Sequence, residues 1–220
     1  MIRTLIFDWD GTLHDTGRLY GGSFRKAYSW LVEQKYAEKR DYRDEEVTCY
    51  LGMNARDMWN RFMPQLPQDI KNHASDIIGR EMIAGIEAGH AAMYPGAEKL
   101  LDQLKTQGYE MVILSNCKRA YLNAHRTAFQ LERWFTGFYC CEDFDFASKE
   151  EIFPKFRASH PEAYVVIGDR DSDLRVATTH NLLSIGCAYG FGGVGELAAA
   201  TRIAHSLSDI PKQLALLQSR

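Results

Sequence analysis

The spacing of apolar residues divides the chain into strand-like and helix-like segments. Short unbroken apolar runs, typical of strands buried on both faces, predict strands at 5–7, 109–114, 137–141, 164–167 and 182–185. Apolar residues at helical spacing predict helices at 19–31, 45–51, 55–63, 69–88, 95–104, 120–129, 174–180 and 208–216. Ser208 is expected to cap the last of these helices.

Strands and helices alternate through the second half of the chain, which predicts an α/β fold with a doubly wound parallel-sheet, Rossmann-like core. The first strand joins this sheet, so residues 1–15 and 92–220 are expected to form the core domain. Between residues 16 and 93 no strand is predicted, and residues 16–91 are expected to form an inserted helical cap domain.

Composition narrows the class of partner. The chain has 220 residues, of which 45% are hydrophobic, and a net charge of only −3 with dispersed basic residues. We therefore expect a small-molecule ligand, with no nucleic acid and no membrane surface as partner. The chain starts directly with the first strand and no apolar stretch approaches the length of a membrane span, so we expect a cytoplasmic protein that is a monomer or homodimer. Five cysteines match no zinc spacing and are expected to be reduced thiols.

Polar residues follow three of the predicted strands at the point where each ends. They are Asp8 and Asp10 after the first strand, Ser115 and Asn116 after the second, and Asp169 and Asp173 after the strand at 164–167. Lys149 opens a short segment between the last two groups. Because the carboxyl ends of parallel strands share one edge of the sheet, these side chains are expected to converge there.

The order of these motifs resembles the haloacid dehalogenase-like hydrolase superfamily over nearly the whole chain. Its four motifs match Asp8-Trp9-Asp10-Gly11-Thr12, Ser115, Lys149, and Gly168-Asp169 through Asp173. The helical segment is similar to the small cap of the phosphoglycolate phosphatase and β-phosphoglucomutase branch. The resemblance implies hydrolysis of a small phosphate ester.

On this resemblance Asp8 is the nucleophile that forms an aspartyl phosphate, and Asp10 is the acid and base, whose carbonyl also binds the metal. Ser115 and Lys149 hold the phosphoryl oxygens. Asp169 completes the metal site, and Asp173 holds a metal-bound water or Lys149. Independently, carboxylates that converge repel one another unless a cation is present, and hard oxygen ligands favour Mg²⁺.

Several assignments stay open from the sequence. Lys155 rivals Lys149 for the lysine role, and Asp171 is interpreted as a helix N-cap rather than a ligand. Gly11, Thr12 and Asn116 are turn formers that are also expected to touch the phosphate or a water. In the cap, Arg56 is a candidate to hold a second anionic group of the substrate. His14 and His90 are interpreted as linker residues.

The reaction also has alternatives. Dehalogenases and phosphonatases of this superfamily lack the second aspartate, so Asp10 argues against both. A phosphosugar mutase uses the same residues but returns the phosphoryl group to sugar, and the motifs do not separate it from a phosphatase. A third alternative is a protein that binds phosphorylated metabolites without turnover.

Overall fold

A six-stranded parallel sheet forms the centre of the computed structural model, which describes residues 1–193 and 195–219. The strands are β1 (Thr4–Phe7), β2 (Glu110–Ser115), β3 (Gly137–Cys140), β4 (Tyr164–Gly168), β5 (Leu183–Cys187) and β6 (Arg202–Ala204). Their order across the sheet is β3-β2-β1-β4-β5-β6. All neighbouring strands are parallel, and Phe7 is in register with Ile113 on one side and Ile167 on the other.

Helices flank both faces of the sheet and also form a separate layer above its carboxyl edge. The helices are α1 (Gly17–Glu33), α2 (Asp44–Val47), α3 (Ala55–Phe62), α4 (Gln68–Glu87), α5 (Ala97–Thr106), α6 (Arg119–Phe129), α7 (Lys149–Phe156), α8 (Asp171–His180) and α9 (Ile210–Gln218). Short 3-10 helices lie at Thr48–Tyr50, Leu131–Arg133, Cys141–Phe144, Arg157–Ser159, Glu196–Ala199 and Leu207–Asp209.

The central strands are apolar throughout because both of their faces are covered. Leu5 and Phe7 of β1 pack with α5, α6 and α9, whereas Ile6 points to the opposite face and packs with α7 and α8. Every residue of β1 and of β4 is buried. Burial on two sides holds the carboxyl ends of these two strands at fixed positions.

A second apolar cluster joins helices α1, α3 and α4. Phe24, Leu31, Trp59 and Ile78 are among its buried members. The Trp59 indole donates a hydrogen bond to Ser75 Oγ at 2.6 Å, which fixes α3 against α4. Tyr121 of α6 also belongs to this cluster, so the helical layer contacts the core beside the sheet edge.

The structure confirms the doubly wound parallel core. It adds β6, which is three residues long and gave no apolar run in the sequence. The prediction that Ser208 caps the last helix is wrong, because α9 begins at Ile210 after a 3-10 turn that opens at Ser206. No helix among residues 1–193 and 195–219 is both long and apolar enough to cross a bilayer.

Candidate active site

The site lies where the strand order reverses. From β1 the chain continues to β2 and β3 on one side and returns to β4 on the other, so a crevice opens beyond the ends of β1 and β4. Asp8 and Asp169 each follow the last residue of one of these strands. The Asp8 amide extends the sheet by donating to Ile167 O at 2.9 Å. The two carboxylates therefore meet at the topological switch point.

Three carboxylates and one ammonium form the centre of the site. Carboxylate oxygens of Asp8, Asp169 and Asp173 lie within 4.8 Å of one another. Lys149 Nζ, from the first residue of α7, lies 2.6 Å from Asp8 Oδ1 and 2.6 Å from Asp173 Oδ1. Lys155 is exposed and lies over the Phe144 ring instead. Of the two lysines, the structure brings only Lys149 to the carboxylates.

The electrostatics of this cluster favour an added cation. Burial, and then the nearby charge of Asp173, raises the pKa of Asp8 well above its usual range although Lys149 lowers it. Burial and the proximity of Asp173 also raise the pKa of Asp169, to about 7. One ammonium neutralises only one of the three carboxylates. A hard divalent cation fits the remaining charge and the all-oxygen donor set.

The turn after β1 brings its residues against Asp169. Thr12 Oγ1 donates to Asp169 Oδ1 at 3.1 Å and lies 3.4 Å from Asp8 Oδ2. Gly11 has a φ of +88°, and a Cβ there would lie 2.5 Å from Asp169 Oδ2. The Phe191 amide donates to the same Asp169 oxygen at 2.7 Å. Gly11 and Thr12 thus contact the carboxylate cluster.

Asp10 is held through one of its two oxygens. Three donors meet at its Oδ1: His14 Nδ1 at 3.0 Å, Thr16 Oγ1 at 2.7 Å and the Tyr121 hydroxyl at 2.8 Å. Burial acts to raise the pKa of Asp10, but the bond and charge of His14 outweigh it and lower the pKa to about 2. Within the described part of the chain, no hydrogen bond occupies Asp10 Oδ2.

His14 lies in the connection between β1 and α1, and it also contacts the site through Asp10. Its ring is fully buried, stacks on Trp9 and meets the His125 ring edge to face at 4.2 Å between centroids. Sequence reasoning missed His125 and Tyr121 altogether. The spacing of four residues between Asp10 and His14 gives a weak signal, whereas His125 and Tyr121 come close only through folding.

Ser115 and Asn116 end β2 beside this cluster. The Ser115 hydroxyl oxygen accepts the Cys117 amide at 3.3 Å. Asn116 Nδ2 donates to the backbone carbonyl of Gly52 at 3.1 Å, which links the core to the helical layer. Gly52 has a φ of +83°, and a Cβ there would lie 2.7 Å from Arg170 Cγ. Arg170 also donates to the Leu51 carbonyl.

Asp171 and Asp173 differ in what they contact. The expectation that Asp171 is an N-cap is wrong, because it is the first residue inside α8 and accepts an exposed bond from Arg175. Asp173 Oδ2 accepts the Arg170 amide at 2.9 Å, and its Oδ1 accepts from Lys149. Asp173 therefore caps α8 and holds Lys149 at the same time.

Two adjoining cavities meet the site. One, which we call the apolar chamber, has a volume of about 150 Å³ and is bounded by Asp8, Asp10 and Ser115 on the core side. The other, which we call the polar cavity, has a volume of about 430 Å³ and is bounded by Lys149, Ser172 and Arg56 among others. Asn116, Gly52, Met53 and Phe146 line both.

The fold and the site define a doubly wound α/β protein with carboxylates and a lysine at its switch point. Residues 5–187 match the family model of haloacid dehalogenase-like hydrolases. The chain belongs to this family and is an enzyme of the hydrolase class. The membership expected from the motifs is confirmed.

The chain is also similar in sequence or in structure to individual known proteins. Protein CbbY of Rhodobacter capsulatus is 26% identical over 129 residues, which are 56% of this chain and 54% of that protein. The alignment thus spans about half the length of that relative. A predicted phosphatase from Clostridium acetobutylicum has a TM-score of 0.83 at 23% identity, covering 98% of this chain and 99% of that one.

CbbY from Rhodobacter sphaeroides, solved in complex with phosphate, has a TM-score of 0.77 at 21% identity. That alignment covers 96% of this chain and 96% of the other. At these identities the solved structures show that the fold, including the helical layer, is shared.

Proposed function

We propose that the protein is a Mg²⁺-dependent phosphatase that hydrolyses a small phosphate ester through an aspartyl phosphate on Asp8. The observation that carries the proposal is the buried cluster in which Lys149 bridges Asp8 and Asp173 beside Asp169. Membership in the hydrolase family supports the reaction class. The phosphate bound to the similar CbbY structure supports a phosphate ester as the substrate class.

The first chemical step is attack on phosphorus. One Asp8 carboxylate oxygen forms the new bond to phosphorus while the bond to the leaving oxygen breaks, which gives an acyl phosphate and an alcohol. Lys149 and Ser115 are placed to hold phosphoryl oxygens, on which charge spreads in the transition state. Water then attacks the phosphoryl group and releases inorganic phosphate and free Asp8.

Asp10 moves the protons in both steps. Its Oδ1 is occupied by three donors, so Oδ2 is the oxygen that can face the leaving group. The dianionic phosphate beside it raises the proton affinity of this carboxylate, which lets Asp10 give a proton to the leaving oxygen. It later takes a proton from the attacking water. General acid and base catalysis of this kind contributes about 100 to 10,000-fold in rate.

Asp8, Asp169 and the backbone carbonyl of Asp10 would hold Mg²⁺, with Asp173 in contact through water or through Lys149. When bound, the ion supplies positive charge that offsets the carboxylates and the phosphate. We further propose that residues 1–15 and 92–220 act as the core domain and residues 16–91 as a cap that opens for substrate. Arg56, exposed at the polar cavity, would contact substrate or product there.

A panel of phosphate esters, assayed for phosphate release with Mg²⁺ and with EDTA, tests this proposal. We expect release that requires Mg²⁺ and is abolished by Asp8→Asn. Sugar phosphates in the panel should also be examined for isomer formation, because isomerisation without phosphate release would indicate a mutase. Binding without any turnover across the panel would contradict catalysis.

A further inference from the structure

We infer that the part of the leaving group next to the phosphate is mainly apolar and about the size of one six-membered ring. This inference rests on the proposed phosphatase function and names the class of ester that the site accepts. It depends on which of the two cavities receives the leaving group, on the chemistry of that cavity and on its volume.

The position of Asp10 indicates which of the two cavities receives the leaving group. The residue that protonates the leaving oxygen must lie within hydrogen-bond reach of it. Asp10 lines the apolar chamber and not the polar cavity. Lys149, which is placed to hold phosphoryl oxygens, lines the polar cavity instead. The phosphoryl group therefore lies between the two, and the leaving group extends into the apolar chamber.

The helical layer gives this chamber an apolar wall. The side chains that form it are Tyr50, Leu51, Met53, Met58, Ile78 and Met82. Methionine side chains adapt their shape to a ligand and gain contact with aromatic rings. Contact with such a wall stabilises an apolar group by removing it from water, and the aliphatic side chains of the wall offer no hydrogen bond to a buried hydroxyl.

Several of the polar side chains that line the chamber are already engaged with the protein, whereas the buried Tyr20 hydroxyl has no hydrogen-bond partner among the described residues. Ser75 Oγ donates to Lys71 O at 2.9 Å and accepts the Trp59 indole. The hydroxyls of Tyr121 and Thr16 both donate to Asp10. The Tyr20 hydroxyl can bond one hydroxyl of a ligand, whereas a second ligand hydroxyl would compete with the existing bonds or stay unpaired.

A second anionic group finds no buried cation among the described residues that line the chamber. Lys118, the basic residue of the lining, is partly exposed and forms an ion pair with Asp76 at 2.8 Å. Arg56, the cap residue that the sequence suggested for a second anion, lines the polar cavity and not this chamber. A distal phosphate or carboxylate on the leaving group would meet an apolar wall.

Volume sets the size of the part of the leaving group that the chamber holds. The chamber has a volume of about 150 Å³ and is partly open to solvent. In another protein, an apolar cavity of about this volume holds one benzene molecule. A single ring or a branched chain of similar bulk fills the chamber, and a larger leaving group would extend out of it.

Two primary alkyl phosphates of similar size test the inference. Isoamyl phosphate has an apolar leaving group, and glycerol phosphate carries two free hydroxyls in nearly the same volume. Glycerol phosphate would leave at least one of its two hydroxyls unpaired in the chamber. Because one unpaired buried hydroxyl costs about tenfold in binding, we expect kcat/KM for isoamyl phosphate to be about tenfold higher. The chemistry itself favours glycerol phosphate, whose alcohol is the better leaving group, so the preference would come from the chamber.

A pair of variants assigns the preference to the chamber. Met58→Gln adds an amide of nearly the same shape to the wall. It should reduce the ratio of kcat/KM for isoamyl phosphate to kcat/KM for glycerol phosphate about tenfold. Met63→Gln alters a half-buried methionine that does not line the chamber, and the ratio should not change. If Met58→Gln fails to fold, the ratio of the two kcat/KM values measured for the wild type still tests the inference.

The outcomes separate the two proposals. If glycerol phosphate is hydrolysed as fast as isoamyl phosphate, with Mg²⁺-dependent phosphate release from both, the inference of an apolar leaving group is wrong. The proposal that the protein is a phosphatase would still hold. An unchanged ratio in Met58→Gln would also overturn it. No release from either ester or from methyl phosphate would overturn the phosphatase and this inference together.

Discussion

Lys149 Nζ lies 2.6 Å from Asp8 Oδ1 in a buried ion pair that joins the start of α7 to the end of β1. Replacing the lysine by methionine leaves the carboxylates of Asp8 and Asp173 without their cation. Because breaking a buried ion pair strands its partner charges, we expect Lys149→Met to lower the free energy of unfolding by about 3 kcal/mol without added metal. Urea unfolding measures this loss, and kcat should fall about 100-fold or more.

Lys155→Met is the matched control. This lysine lies six residues later in the same helix, is exposed and has no contact with the carboxylates among the described residues. Its replacement should change kcat by less than about twofold and leave stability nearly unaltered. Equal losses in the two variants would contradict the assignment of the lysine role to position 149.

Mg²⁺ should stabilise the folded protein, since the carboxylate cluster exists only in the folded state. At a concentration 100 times its Kd, a ligand of this kind adds about 2.7 kcal/mol to the free energy of unfolding. Asp169→Asn removes one ligand and should abolish most of this gain. Asp171→Asn, which changes an exposed carboxylate on the next helix, should retain it. Thermal unfolding with Mg²⁺ and with EDTA makes the comparison.

His14 is expected to act as a positioning residue for Asp10. His14→Leu removes one of the three donors to Asp10 Oδ1, and kcat should fall about tenfold with little change in KM. Because this donor lowers the pKa of Asp10, its loss should raise that pKa and move the limb of the pH–rate profile that Asp10 controls to higher pH. If the variant is less stable but this limb of the pH–rate profile does not move, the positioning role is contradicted. His14→Gln should restore part of the activity.

His125 should make the protein sensitive to acid. Burial, and then the nearby His14, lowers the pKa of His125 from 6.5 to about 3, while Asp10 acts to raise it. Between these two pH values the unfolded chain binds a proton that the folded state does not. The contribution of His125 to stability is therefore full above pH 6.5 and falls by about 1.4 kcal/mol per pH unit as the pH decreases across this window.

His125→Phe tests that dependence, since phenylalanine suits the surrounding rings and does not titrate. Urea unfolding of wild type and variant from pH 7 to pH 4 should give curves that diverge as the pH falls, with the variant losing less stability. Parallel curves would exclude a contribution from His125.

The sequence predicts the core of this protein well because its strands are buried on both faces. Unbroken apolar runs such as Leu5-Ile6-Phe7 identify such strands without reference to other residues. The edge strand β6 has no such signature, since only one of its three residues is buried. Its pairing with β5 depends on contacts that form only in the folded chain.

The candidate active site, like the fold, can be predicted from the sequence only in part. Asp8, Asp169 and Lys149 could be inferred because each comes at the end of a strand or the start of a helix, where parallel topology brings residues together. The bonds from Tyr121 and His14 to Asp10 depend on side-chain orientation, which spacing does not give. The apolar chamber escaped prediction for a related reason, because its wall combines residues from several helices.

The segment that carries Leu51 and Gly52 meets the core through backbone carbonyls, which accept from Arg170 and Asn116. Every amino acid has the same carbonyl, so neighbouring positions such as Met53 are free to change without weakening this attachment. Position 52 is restricted by its left-handed backbone, and position 51 by the burial of Leu51 in the apolar cluster of the helical layer. Single substitutions at a lining position such as Met53 can therefore change the wall of both cavities, while the docking of the two layers stays the same.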